Sequence, residues 1–238
     1  ITVPDNVKTL NVSGNQINDI TKLAVDGRTV TYGTQTVDKT TDVTGIVANK
    51  WADLKTKLGI VSLFPEAAKE GTYSYSFQKL SGSSTWGTAN VRKNPSNANM
   101  YRFQSTTAYE HGTYKVSVTN NKVSGLTYVI TFKVQPAEFT VKTSSSNESW
   151  GQVSAPEDDK TVTNGSSVTL TATAESNYKF SKFETTGFKT PLASGSSITA
   201  TVVGPTPSDN DDDQIVTVKA IFVPKTYKLT MQSVAEGG

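Results

Sequence analysis

The 238-residue chain contains no cysteine and a single histidine, His111. Without cysteine it forms no disulfide, no zinc–thiolate site and no cysteine nucleophile. One imidazole cannot supply a two-histidine metal site. A Ser-His-Asp triad would have to use His111, and no nucleophile-elbow sequence occurs anywhere in the chain. No apolar run approaches the ~18 residues that a membrane-spanning helix needs. Neither sign of charge dominates: 23 basic and 21 acidic residues leave a net +2, interspersed apart from short acidic clusters at 157–159 and 209–213. The sequence shows no basic stripe that would neutralise a phosphate backbone, so nucleic acid is not an expected partner. Phosphate-binding and dinucleotide glycine fingerprints are missing too, and the Ser-Gly-Ser-Ser runs at 81–84 and 194–197 read as flexible turns.

What is present points to strands. Valine and threonine abound, and 17 Gly and 9 Pro punctuate the chain, a composition that favours short strands and turns over helices. A hydrophobic fraction of 35% with mean hydropathy −0.37 describes a soluble protein with thin-sheet cores. The length fits one large or two modest domains. From about Thr72 the apolar period is two: Tyr73, Tyr75 and Phe77; Tyr101 and Phe103; Tyr114, Val116 and Val118; Tyr128, Ile130, Phe132 and Val134. One helix is expected, over Asn49–Leu58, where Trp51, Leu54 and Leu58 form a narrow apolar stripe and Gly59 could stop it. The expected fold class is therefore mainly β: tandem β modules, a sandwich with one short helix followed by a smaller β domain.

Three stretches resemble known families. Val7-Lys-Thr-Leu10-Asn-Val12-Ser-Gly-Asn15-Gln-Ile17 resembles one leucine-rich repeat, which implies a short strand with Asn15 buried and bonded to the turn backbone. One repeat cannot bury its own face, so residues 1–24 are expected to be the end of a longer array. Glu110-His-Gly112-Thr-Tyr114-Lys-Val116 resembles the corner motif of immunoglobulin-type domains. The resemblance implies a β-sandwich over 25–136, with the Tyr114 hydroxyl tied to nearby backbone, Glu110 at the acidic position and Gly112 at the turn. Val116 stands where that family carries a cysteine, so apolar packing replaces the cross-sheet disulfide.

Phe139–Val223 resembles the bacterial repeat related to the internalin B-repeat. The matching features are the Gly151-Gln-Val153 step, the strand Val168-Thr-Leu170-Thr-Ala172, the hairpin Tyr178-Lys-Phe180-Ser-Lys-Phe183 and the closing Thr217-Val-Lys-Ala220-Ile-Phe222. A repeat domain over 137–224 follows, with an inserted loop at 187–213. Tyr227-Lys-Leu-Thr-Met then restarts the pattern of Phe139-Thr-Val-Lys-Thr, so 225–238 is expected to open a further, incomplete repeat of a longer string.

Candidate binding residues are few. Alternate carboxylates at Asp209, Asp211 and Asp213 could approach a calcium ion, yet an EF-hand-like loop would need glycine at Gln214 and glutamate at Ala220, and a solvated loop tip is the favoured reading. Trp86, Tyr101, Tyr109 and Trp150 are the aromatics that could stack on sugar rings, against the alternative of half-buried sandwich aromatics. No catalytic residue, metal site or cofactor is expected. The internalin-like organisation implies a non-catalytic adhesion or stalk segment at a bacterial surface, monomeric, not inserted in a membrane, with protein or glycan partners bound mainly by regions outside this segment. The alternative is a carbohydrate-binding module.

Overall fold

Stretches in which threonine or serine alternates with aromatic and branched apolar residues form strands, because such side chains suit a pleated, half-buried surface. Strands hold 50% of the residues and helices 5%, so the chain is mainly β. The computed structural model describes all residues except 1, 18–19, 21–22, 24, 42, 208–213 and 231–238, with backbone alone at 67. The chain divides into two compact units, Ile1–Glu138 with Thr206–Asp213, and Phe139–Pro205 with Gln214–Gly238.

The first unit opens with a parallel pair, β1 (Thr9–Asn11) and β2 (Thr29–Thr31), in which Leu10 faces Val30. An isolated parallel bridge between Asn15 and Gln35 keeps the same offset. Gly33, at φ +60, then turns the chain out of this ladder, and a Cβ there would collide with Ser13. β3 (Gly33–Asp38) accordingly enters a second sheet, where it lies parallel to β10 (Val123–Val134). That sheet continues through β9 (Gly112–Asn120) and β5 (Tyr73–Ser81) to β6 (Thr85–Thr88), in the order β3-β10-β9-β5-β6.

Facing it is a three-stranded sheet of β4 (Ala52–Asp53), β8 (Met100–Arg102) and β7 (Arg92–Lys93). Aromatic rings lock the two sheets together, with centroid separations of 5.2 Å for Tyr75–Tyr101, 5.1 Å for Phe77–Tyr101 and 4.8 Å for Phe103–Tyr114. Tilted and edge-to-face pairs of this kind contribute about 0.5–1.5 kcal/mol each beyond the area they bury.

The helix expected over Asn49–Leu58 is later and shorter. Ala52 and Asp53 are strand residues, and α1 covers only Leu54–Lys57, capped by the Asp53 carboxylate accepting from the Thr56 N–H at 3.2 Å. Gly59 takes φ +62, a left-handed position that glycine adopts at little steric cost, and α2 (Ile60–Leu63) follows it. Strand pairing of Ala52 with Tyr101 overrides the helical spacing. Trp51 thus precedes the helix, with the Arg102 guanidinium 4.4 Å from its ring centroid. At the end of this unit the Asn49 amide donates to the Glu138 carbonyl at 2.6 Å and accepts from its N–H at 3.1 Å, while Lys50 pairs with the Glu138 carboxylate at 2.6 Å.

The second unit contains β11 (Glu138–Ser145) from Phe139 onward, β12 (Gly151–Ser154), β13 (Thr161–Thr163), β14 (Ser167–Ala174), β15 (Tyr178–Thr186), β16 (Ser197–Thr201) and β17 (Ile215–Pro224). They form one sheet in the order β13-β11-β17-β15 and a second in the order β12-β14-β16. Phe139, Val141, Val168, Leu170, Val216, Val218 and Phe222 are buried.

On β15 the aromatic spacing is two and then three, which would put Phe183 on the face opposite Phe180. A register shift between Phe180 and Lys182 leaves Ser181 without a cross-strand partner, so Phe180 opposes Phe222 and Phe183 opposes Ala220. The bulge restores parity, and the Phe180 and Phe183 rings meet at 4.6 Å. Gly151 allows the close approach of Phe222: a Cβ there would stand 2.6 Å from both its ring and the Thr173 carbonyl oxygen.

Candidate functional surfaces

The corner motif of the first unit is a bonded cluster. The Tyr114 hydroxyl donates to the Glu110 carbonyl at 3.2 Å. The Glu110 carboxylate accepts from Asn90 at 2.6 Å and pairs with Lys79 at 3.1 Å. Gly112, at φ +125, opens β9 between them. Burial raises the Tyr114 phenol well above its ordinary range, and the nearby Glu110 charge adds to the effect. Every group in this cluster is engaged in holding the strand entry, and His111 lies exposed beside it.

The four aromatic candidates differ in what they can offer. Tyr101 and Tyr109 are 5% and 7% exposed, so neither presents a ring face to a sugar. Tyr101 instead fills the space between Tyr75 and Phe77. Trp86 is half-buried on β6, and the Lys115 ammonium lies 3.9 Å from its centroid, over the ring. Trp150 is half-buried and stacked on Tyr178 at 4.9 Å with 14° between the planes. A face of each tryptophan is therefore already covered, by a cation or by a ring, and the two belong to different units.

Asn15 makes the expected turn bonds, its amide donating to the Val12 carbonyl at 2.9 Å and to Ser13 at 3.2 Å. It is exposed, however, and the buried seat belongs to Gln35. The Gln35 amide nitrogen donates to Val12 and Tyr32 carbonyls at 2.7 Å each, and its oxygen accepts from the Ile17 N–H at 3.2 Å. The signal for Gln35 was in the sequence: Leu10, Val12, Asn15 and Ile17 recur 20 positions later as Val30, Tyr32, Gln35 and Val37. Gln in place of Asn and Tyr in place of an aliphatic hid it.

Two surface depressions are small. One of about 260 Å³ on the second unit is lined by Thr143, Ser144, Ser145, Glu148, Gln152 and Val153. Another, of about 250 Å³ on the first unit, lies on the outer side of β3, β10 and β9 by Thr36, Asp38 and Lys115. Small-molecule sites usually enclose roughly 300–1,000 Å³. Among the described residues no group of three or more His, Asp or Glu side chains could hold a metal ion. The acidic run at 209–213 lies outside the described residues. No described helix is long and apolar enough to cross a membrane.

Comparison with known proteins gives one family match. Residues 140–226 match the family described as "Divergent InlB B-repeat domain". The matched span holds the Gly151 step, the β15 bulge and the closing β17, the three features that shape the second unit. No curated protein matches the chain. Among solved structures, the C-terminal fragment of the pilus adhesin SpaC from Lactobacillus rhamnosus GG aligns over 83% of this chain and 100% of its own, at 11% identity and a TM-score of 0.22. That likeness is too slight to carry a fold assignment.

Proposed function

We propose that the chain is a non-catalytic segment of a bacterial cell-surface or secreted protein, which supports and spaces a ligand-recognition region lying outside it. The observation that carries this is the match of residues 140–226 to a repeat family found on bacterial surface proteins. Residues 137–224 are read as one repeat, and 225–238 as the start of the next. Tyr227 and Leu229 repeat the spacing of Phe139 and Val141.

Residues 1–24 are read as the end of a leucine-rich solenoid and 25–136 as an immunoglobulin-like sandwich. The parallel 20-residue step and the paired amides of Asn15 and Gln35 support a solenoid turn there, and they carry it past residue 24 to Gln35. For the second, the order β6-β5-β9-β10 corresponds to strands C′-C-F-G of that fold, and the Tyr114–Glu110 bond is the one its corner tyrosine makes. Each unit buries its own core, so reach would grow by addition of units.

On cells displaying the protein, removing 139–224 is expected to reduce whole-cell adhesion while the purified recognition region keeps its affinity. Turnover of a polysaccharide or peptide by the purified chain, lost on changing one carboxylate, would overturn the non-catalytic assignment. The carbohydrate-binding alternative rests on Trp86 and Trp150, the two candidates that keep surface. Micromolar binding on a glycan array, abolished by Trp86→Ala or Trp150→Ala, would favour it.

A further inference from the structure

The outward face of the β11–β17–β15 sheet gathers lysines that are far apart in the sequence. Lys182 on β15 opposes Ile221 on β17, and the next outward pair is Glu184 with Lys219. Lys219 in turn opposes Ser144 on β11, and Lys142 opposes Thr217. Lys182, Lys219 and Lys142 therefore run diagonally across three strands, and diagonal neighbours on one face lie about 7–8 Å apart. Lys179 extends the line along β15 opposite Val223.

Carboxylates near these lysines include Glu184, paired with Lys182 at 2.8 Å and opposite Lys219, and Asp159, paired with Lys142, with Asp158 also acting on Lys142. Both pairs are exposed, and exposed pairs hold weakly enough to be exchanged for another anion. Among the described residues neither Lys179 nor Lys219 has a carboxylate within ion-pair distance. Ile221 and Val223 are half-buried between the lysines.

We infer that this face docks a linear phosphodiester polymer of small polyols. The line of cations at regular intervals matches anions at regular intervals along a chain, and the low aliphatic strip between them suits a flexible carbon backbone. Among the described residues no outward position on these three strands is aromatic, so the face lacks the platforms on which nucleobases stack and on which pyranose rings would sit. The inference is independent of the spacer function: a chain without this affinity could still be a stalk.

The test uses the whole chain and an immobilised glycerol-phosphate oligomer as probe. Expected are micromolar binding at physiological salt, weakening as salt rises, and a loss of about tenfold for Lys182→Gln with Lys219→Gln. Glu184→Gln should tighten binding. Lys57→Gln with Lys122→Gln removes the same charge from the first unit and should change nothing. All four positions are exposed, and circular dichroism checks that each variant folds. Equal losses for the two double variants, no loss for Lys182→Gln with Lys219→Gln, or no binding at all would overturn the inference. So would tighter binding to heparin, oligothymidylate or anionic phospholipid vesicles than to the glycerol-phosphate probe.

Discussion

Gln35 stands one 20-residue step after Asn15, in parallel register with it, and repeats its bond. Each side-chain amide donates to the carbonyl three residues earlier, at 2.9 Å from Asn15 to Val12 and 2.7 Å from Gln35 to Tyr32. Gln35 alone also reaches across to Val12 and Ile17, joining the two turns.

Gln35→Leu keeps the volume but leaves a buried N–H and two carbonyls without this partner. It is expected to destabilise the first unit by about 2–4 kcal/mol, whereas Asn15→Ala, at an exposed site, should cost no more than about 1 kcal/mol. Denaturant unfolding of each variant checks the ranking, and equal effects would show that the buried amide does not join the turns.

Tyr114 and Tyr75 make a matched pair for removing a hydroxyl. Tyr114→Phe loses the bond to Glu110 and is expected to cost about 1 kcal/mol. Among the described residues the Tyr75 hydroxyl is buried with no hydrogen-bond partner, so Tyr75→Phe should be neutral or stabilising. Thermal melts of the two variants side by side decide it.

The same two phenols set an alkaline limit. Burial raises both above their ordinary value, with Tyr101 adding to the effect at Tyr75 and Glu110 at Tyr114. Above about pH 10 the unfolded chain sheds these protons first, so it binds fewer than the native state and stability falls as pH rises. Below that point the contribution is fully present. Phenolate absorbance followed together with circular dichroism should show part of the tyrosine signal appearing only as the first unit unfolds.

Gly151→Ala puts a methyl group against the Phe222 ring and the Thr173 carbonyl. Overpacking of this kind is expected to cost about 1–3 kcal/mol, confined to the second unit. Gly87→Ala, where a Cβ meets nothing within 4 Å, serves as the control. Trp150 fluorescence reports on the second unit, and an unaltered midpoint for Gly151→Ala would show that Phe222 can move aside.

Much of the fold was legible because period-two alternation is a local signal. Tyr73–Ser81, Gly112–Asn120 and Val123–Val134 are strands where the sequence alternates. The tyrosine bond to Glu110 was equally readable, since it spans four residues. The helix limits were not, because pairing of Ala52 with Tyr101 lies 49 positions away and outweighs the stripe of Trp51, Leu54 and Leu58. Residue type nominates a stacking aromatic, whereas exposure depends on neighbours. Tyr101 is enclosed by Tyr75 and Phe77, and Trp86 lies beneath Lys115.

By itself, then, the order of residues determined that this chain would be built of strands, where most of them lie, and that cysteine and multi-histidine chemistry are absent, because these follow from near neighbours and composition. Only the tertiary structure decided that Gln35 rather than Asn15 takes the buried seat, that Ser181 bulges so that Phe183 faces the core, and that Lys142, Lys182 and Lys219 form one line. Those outcomes depend on strand register, which sequence-distant segments settle by fitting their apolar faces together.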